Sequence, residues 1–468
     1  MVSVPVAAAL SRFLVLSLAV ISDLLLPDHA PQGALHYAFA ADCRVAPLLR
    51  PFTRWDSAHF LEVAQNGWRH EWSHAFFPLY PLMTRALAAL LAPFTSLCTQ
   101  EAFVVAGLLL SNTAFVVAAC SLHELGKHVL RDAQLAHRAA LLFCVAPASI
   151  FFSSLYSESV FAAATFGGLL LLELGSPWTA CLVLAAGSGC RANGLLNAPL
   201  ILYHAACSSA RRRRGDRRQA WPAVGEALQL VAQLASVVVG YRRLCGASTT
   251  RSGWGAAALA AEGTHEIADP SPTPTGLAAT PSSWCDDRIP DAYSHVQEAY
   301  WNVGFLRYFQ SRQLPNFILA TPALLLCLDA CRTVRAQLVW RWRDTSLSDK
   351  LLDVLRMPSM KGRTQHLKGD ALSAEQAARV AVYIGQWAVL SAIAFFFSHI
   401  QITTRLVGAA CAPLYWHMAI LSQPPRAYKK SKRPLLKWKL EGRVLVHAHS
   451  LIYVFAGTVL HANFFPWT

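Results

Sequence analysis

The chain has 468 residues, of which 54% are hydrophobic and only 15% charged, against about 25% charged in a typical soluble domain. Its 41 Lys and Arg outnumber its 27 Asp and Glu, for a formal net charge of +14. The composition excludes an ordinary soluble domain. The confinement of positive charge to a few connecting segments, with no aromatic readout element beside it, argues against a nucleic-acid binder.

Apolar runs recur along the whole length, many near the roughly 20 residues that cross a hydrocarbon core of about 30 Å as a helix. In chain order, helices are predicted over 4–26, 101–121, 139–156, 158–175, 177–191, 195–208, 223–240, 314–332, 376–397, 406–421 and 443–460. The fold class is therefore an all-α polytopic membrane protein with about 11 transmembrane helices, read as one integral membrane domain over 1–468. The first run, 4–26, lacks a lysine-rich start and a small-residue cleavage site, so it reads as a retained signal anchor. The pair 177–191 and 195–208 is short enough to be broken helices. The stretch 76–94 carries prolines and Arg85, and reads as a re-entrant or surface-lying helix within a first loop over 27–100. Residues 246–283 are rich in Gly, Ala, Ser, Thr and Pro, which suits a flexible insert. Residues 291–317 are aromatic and semi-amphipathic, as an interfacial segment would be, and 333–375 reads as a polar connecting loop.

Charge then orients the spans. Arg and Lys concentrate in RRRRGDRR (211–218), in 332–368 and in PPRAYKKSKRPLLKWK (424–439). With the N-terminus cytosolic and 76–94 not crossing, all three fall on the cytosolic side, as does 121–138, in line with the positive-inside rule. The remaining polar segments, RWDSAHF (54–60), YSES (156–159), RANG (191–194), 241–313, HIQITTR (399–405) and HANFFPWT (461–468), then share the opposite face. Several loops converging polar groups on one side is the pattern of an active site at the membrane edge.

Twelve cysteines are scattered, with no C-x-x-C, and the closest pair, Cys327 and Cys331, lies inside an apolar run. No H-E-x-x-H, phosphate-binding Gly-rich loop or dinucleotide fingerprint is present, so no metal ligand set is assigned. The candidate residues each carry two readings. Asp56 is either a general base, its pKa raised by partial desolvation beside Trp55, or the N-cap carboxylate of a helix over DSAHFLEVAQNGW. Glu158 is a second acid/base or a helix-terminal cap near Ser157; an ionisable group between apolar helices is functional by default. Arg191, with Asn193, and Arg405 offer donor forks to a phosphate, or reach for lipid headgroups. Trp301, Asn302 and Arg307 are interfacial anchors or sugar-stacking groups. One carboxylate and two arginines on one face, with no nucleotide fold, match what a transferase using a lipid-phosphate sugar needs. The acceptor hydroxyl needs a base, and the departing phosphate needs cations where negative charge develops.

Six ordered motifs carry a closer resemblance: RWDSAHFLEVAQNGW with FFPLYP (54–81), PASIFFSSLYSES (147–159), RANGLLN (191–197), YWNVGFLRYFQSRQLPNF (300–317), HIQITTR (399–405) and NFFPWT (463–468). In these the chain resembles the PIG-V (GPI mannosyltransferase 2) family of endoplasmic-reticulum enzymes. The resemblance implies a GT-C-type glycosyltransferase fold and a multi-pass enzyme of the endoplasmic-reticulum membrane with its active site luminal. It implies transfer of the second mannose, in α-1,6 linkage, from dolichyl-phosphate mannose to the one-mannose GPI precursor, by an inverting step. It further implies Asp56 as the base of the first luminal loop, Trp55 shaping the acceptor site, and Arg191 or Arg405 at the donor phosphate. Glu158, Asn193, Trp301, Asn302, His399 and Gln401 follow as further site residues. No cofactor or metal is implied, dolichyl-phosphate mannose being a substrate, and a small membrane subunit is compatible with the family. Ala192 departs from the serine more often found in the family, which removes a hydroxyl but leaves Arg191 and Asn193. The alternatives are another dolichyl-phosphate-sugar transferase with a different acceptor, or a non-catalytic lipid transporter. The second is disfavoured because the charges sit at helix ends, without symmetric repeats.

Overall fold

The computed structural model describes residues 2–29, 45–211, 222–232, 245, 283–286, 291–341, 374–423 and 435–465. The insert expected at 246–283, apart from Ser283, and most of the three basic segments lie outside these residues. Among the described residues the secondary structure is helical, with no strand.

The first helix shows how the sequence builds a membrane protein. α1 (Val4–Leu25) carries Pro5 in its first turn, where a missing N–H costs nothing. Its buried stripe, Val4, Ala8, Arg12, Val15, Ala19, Ser22 and Asp23, follows helical spacing. The other faces expose Val6, Leu10, Phe13, Leu14, Ile21 and Leu24, so apolar side chains point outward, as a lipid-facing helix requires. Two short helices follow, α2 (Asp56–Asn66) and α3 (Leu79–Leu91), before the long α4 (Thr99–Leu130). At 13 residues α3 is about 20 Å long, shorter than the roughly 30 Å of a hydrocarbon core.

The expected single helix over 139–156 is instead two pieces, α5 (Ala133–Cys144) and α6 (Ser149–Ser153). Pro147 explains the break: it has no N–H to donate and its ring clashes with the carbonyl four residues back. The Arg12 guanidinium fills the gap, donating to the Ser149 carbonyl at 2.8 Å, the Ser153 hydroxyl at 2.9 Å and the Cys144 carbonyl at 3.4 Å. A buried arginine in α1 thus satisfies backbone acceptors that no water could reach.

α7 (Glu158–Glu173) ends at Gly175, held at φ +78°, and Pro177 starts α8 (Pro177–Ser188). A left-handed glycine after the helix, then a proline opening the next, makes the tight reversal. A 3-10 turn (Ala192–Asn197) leads into α9 (Ala198–Arg211), bearing out the broken pair, and a helix α10 covers 222–232. After α11 (Ala292–Ala299), α12 runs over Leu314–Arg341, nine residues beyond the expected 314–332, so residues 333–341 of the expected loop are helical. α13 (Ala374–Phe397), α14 (Thr403–Ala410), α15 (Ala412–Leu421) and α16 (Leu435–Ala462) complete the chain. The run expected over 406–421 is thereby broken at Cys411.

Among the described residues, five helices are long and apolar enough to cross a bilayer, over Val4–Leu25, Thr99–Leu130, Ser311–Val339, Ala377–Phe397 and Val444–Ala462. The core between α4, α5, α6 and α15 is aromatic: Phe115 stacks on Phe143 at 4.6 Å, and Phe152 and Tyr415 meet Phe143 edge-on at 5.4 and 5.1 Å. First and last helices meet at one end, where Asn463 Nδ2 donates to Ser22 Oγ at 2.6 Å and the His29 N–H to the Asn463 carbonyl at 2.9 Å. The start of α7, the end of α8, the end of α13 and the start of α14 gather at the same end.

Candidate active site

The loop before α2 aims its residues by backbone strain and by charge. Trp55 holds φ +56°, ψ −135°, a conformation that suits glycine and costs any other residue about 1–3 kcal/mol. Arg54, on one side, is pulled out of the site by Asp23 at 2.7 Å and Asp28 at 3.1 Å, and lies 4.2 Å over the Phe464 ring. Arg50 also pairs with Asp23 at 2.8 Å. The kink sends Asp56 the other way, into a cavity of ≈ 860 Å³. That volume lies within the roughly 300–1,000 Å³ typical of small-molecule sites.

Asp56 is the first helical residue of α2, and the cap position is Trp55, whose side chain makes no capping bond. The N-cap reading of Asp56 therefore falls. Its carboxylate pairs instead with Arg405, Oδ2 to Nη2 at 2.9 Å, with 39% of the Asp56 side chain exposed. Arg405, on α14, also reaches Glu158 through Nε, and Arg191 Nη1 approaches the same Glu158 oxygen at 2.7 Å. Arg191 Nη1 further donates to Ser157 Oγ at 3.1 Å. The rings of Phe151 and Tyr156 flank the Arg405 guanidinium at 5.0 and 5.1 Å. Two carboxylates and two guanidiniums separated by up to 349 positions in the chain form one connected cluster.

The raised Asp56 pKa expected from desolvation is corrected by this pairing. Burial pushes the carboxyl up, but the opposing charges, led by Arg405 and joined by His59 and Arg191, hold it below its ordinary value of 3.8. His59, which packs edge-on to Trp72 at 4.6 Å and stacks on Phe76 at 5.0 Å, is pushed down by burial, with Asp56 opposing. At neutral pH the site therefore holds an ionised Asp56 beside a largely uncharged imidazole.

Of the residues singled out in the sequence, Trp55, Asp56, Arg191, Asn193, Trp301, His399, Gln401 and Arg405 line the cavity. Asn193 Nδ2 is buried without a hydrogen-bond partner among the described residues. His399 Nε2 donates to the Trp301 carbonyl at 2.6 Å, and Gln401 accepts from the Tyr308 hydroxyl, so HIQITTR and YWNVGF are joined at the rim. Glu158 does not line the cavity: its side chain is fully buried behind the two arginines. Asn302 is not on the wall either. It takes a left-handed φ of +52°, and its N–H donates to the Glu298 carbonyl at 3.0 Å, closing the end of α11.

Several lining residues were not singled out in the sequence: Phe151, Tyr156, Ser157, Tyr293, Gln297 and His461. Tyr156, Ser157 and His461 belong to segments already assigned to this face, a signal that could have found them. Glu71 was missed as well; it accepts from Trp284 Nε1 at 2.7 Å and from the Tyr300 hydroxyl at 2.9 Å, fastening the segment after α2 to the one around α11. Beside Trp284, Cys245 and Cys285 form a disulfide, and Cys98 is disulfide-bonded too. Cys327 and Cys331 remain free thiols within α12.

This geometry sets a carboxylate and two guanidiniums at one cavity, and the comparison with known proteins decides the family. A family model described as Mannosyltransferase (PIG-V) matches residues 4–468. The chain belongs to the PIG-V mannosyltransferase family. GPI alpha-1,6-mannosyltransferase 2 of Rattus norvegicus is 31% identical, with 98% of this chain and 96% of the relative covered. The Homo sapiens protein of the same name is 30% identical over the same shares. GPI mannosyltransferase 2 of Drosophila pseudoobscura pseudoobscura is 29% identical, covering 98% of both. Among solved structures, the Archaeoglobus fulgidus oligosaccharyltransferase aligns with a TM-score of 0.44 and 11% identity, over 97% of this chain and 56% of that protein. As a PIG-V mannosyltransferase the protein is a membrane-embedded glycosyltransferase.

Proposed function

We propose that the protein transfers the second mannose, in α-1,6 linkage, from dolichyl-phosphate mannose to the one-mannose GPI precursor at the luminal face of the endoplasmic-reticulum membrane. The carrying observation is Asp56 beside Arg405 and Arg191 on one cavity wall in a PIG-V family chain. The names of the full-length relatives support the acceptor and the linkage.

In the proposed step the 6-hydroxyl oxygen of the first mannose attacks the anomeric carbon of the donor sugar. Its proton passes to Asp56, and the bond to the phosphate oxygen breaks with its electron pair leaving on dolichyl phosphate. One displacement turns a β-linked donor into an α-linked product, so a single base suffices. Arg191 and Arg405 stabilise the charge that develops on the leaving phosphate, and because they supply it we propose no metal. Trp55, Trp301, Asn193, His399 and Gln401 are proposed to shape the sugar subsites, with Leu390, Ile393 and Phe397 as an apolar wall toward the bilayer.

The luminal placement is supported from two sides. The helices leaving the site end at Arg211 and Arg341, and α16 enters at Leu435, so the basic segments attach at the opposite end, as expected of the cytosolic face. The disulfide Cys245–Cys285 and the bonded Cys98 lie toward the site end, in keeping with an oxidising compartment. Eleven crossings of a GT-C-type fold, several of them broken or short, fit this alternation of ends. A small membrane subunit remains part of the proposal only through the family.

The test is transfer of labelled mannose from dolichyl-phosphate mannose to a synthetic one-mannose GPI precursor by membranes containing the chain. The expected product carries a second mannose removed only by an α-1,6-specific mannosidase. Transfer confined to a different acceptor, or resistance of the product to that mannosidase, overturns the proposal.

A further inference from the structure

The four charged groups of the site sum to zero before any substrate arrives. Arg405 spends Nη2 on Asp56 and Nε on Glu158, while Arg191 also leans on Glu158. Glu158 opens α7, is fully buried, and is walled off from the cavity by the arginines it holds. With no exposed side-chain surface and no place on the cavity wall, it is unsuited to donate or accept a substrate proton. An anion entering the cavity meets a different situation at each carboxylate. Arg405's ion pair with Glu158 lies behind it, shielded from solvent, and its ion pair with Asp56 lies in front, with the Asp56 side chain 39% exposed. Of the two, the exposed pair is the weaker and the one an incoming phosphate can exchange for itself.

We propose that Glu158 is a positioning residue that fixes Arg191 and Arg405 as a cationic bracket from behind, and that Arg405 is handed from Asp56 to the donor phosphate, so that donor binding frees the base. This rests on the function proposed above and adds an order to it: the phosphodiester binds first, and Asp56 becomes available to the acceptor hydroxyl only then. Before the donor arrives, Asp56 is masked. The anchor keeps Arg405 from following the phosphate out when product leaves, and the vacated guanidinium returns to Asp56.

Two measurements on the full-length chain in lipid nanodiscs test the exchange. The first is binding of dolichyl phosphate, without sugar or acceptor. Because Asp56 competes with the anion for Arg405, Asp56→Asn is expected to tighten dolichyl phosphate binding by about tenfold. Binding that is unchanged or weaker in Asp56→Asn overturns the exchange. Since Asp56 is partly exposed and the amide is isosteric, this variant is expected to fold. The second is steady-state transfer by Glu158→Gln and Glu158→Asp. With its rear anchor neutralised, Arg405 closes on Asp56 and has to be displaced from it by the donor, so Glu158→Gln is expected to lower kcat by about tenfold or more and to raise the donor KM with it. Glu158→Asp, which keeps the charge, should recover most of the rate. A raised donor KM with wild-type kcat, or failure of Glu158→Asp to improve on Glu158→Gln, contradicts the positioning role. The dolichyl phosphate measurement needs no acceptor, so it stands apart from the acceptor assay that tests the function itself.

Discussion

Replacing Arg405 by glutamine removes the guanidinium that touches both carboxylates, and the two losses can be sized separately. Glu158 is fully buried and would keep only Arg191 as a charged partner. Removing one member of a buried ion pair typically costs about 3–5 kcal/mol, and the remaining arginine puts this site at the lower end. The Asp56 pair is partly exposed and adds at most about 1 kcal/mol. The expected destabilisation is therefore about 3–4 kcal/mol, a large share of any membrane domain's margin. Arg405→Lys keeps the charge, but one ammonium cannot reproduce a fork bridging two carboxylates, so it should recover stability more than rate. Loss of leaving-group stabilisation should lower transfer by about 10²–10³ in either variant. Thermal unfolding of detergent-solubilised protein, followed by fluorescence-detected gel filtration, reads the first effect, and mannosyl transfer per folded molecule reads the second. An Arg405→Gln protein that is as stable and as active as wild type would refute the charge cluster as the organiser of the site.

Three further outcomes follow from particular residues. Trp55→Gly should hold or raise thermal stability, since glycine relieves a strain of about 1–3 kcal/mol at φ +56°, while transfer falls at least tenfold; parallel loss of both would contradict the strain reading. Gly194→Ala should destabilise by about 1–3 kcal/mol and raise the donor KM, because its Cβ would stand 2.6 Å from Ser188 Cα in the turn that presents Arg191. The acid limb of kcat/KM, which reports the donor-free enzyme, should lie below the ordinary carboxyl value of 3.8, because Arg405 lowers the Asp56 pKa there. The ion pair's contribution to stability is present above the unfolded carboxyl value and is lost as pH falls through the folded one. In Arg405→Lys, if the charge is displaced from Asp56, the limb should move upward, and a limb that stays put would contradict the pairing.

Much of the site could be read in the sequence because it sits in short polar interruptions of apolar runs. RWDSAHF, RANG and HIQITTR stand out against their surroundings, and the basic segments between them assign them to one face without any tertiary information. What could not be read was which charge meets which. Glu158 and Arg405 are joined through a packing of α7 against α14, and nothing local in YSES shows that its carboxylate turns inward while the neighbouring Tyr156 and Ser157 reach the cavity. The same gap reversed the expected Asp56 pKa: desolvation is legible from a neighbouring tryptophan, whereas a guanidinium 349 positions away is not. Helix interruptions were partly legible. The 177–191 and 195–208 pair was short enough to betray its break, but Pro147 lay inside a run whose length alone looked sufficient, and the arginine that compensates it sits in another helix. Asn302, a polar residue in an aromatic motif, closes the end of α11 through its backbone N–H, which nothing local in the motif shows.

The most direct test of the central claim, that Asp56 is the base of a mannosyl transfer at this cluster, is the transfer rate of Asp56→Asn in microsomes at matched protein level. The amide preserves shape and removes the proton acceptor, so the account expects a loss of about 10²–10⁴ with expression and thermal stability maintained. Transfer at the wild-type rate by a folded Asp56→Asn protein would contradict it.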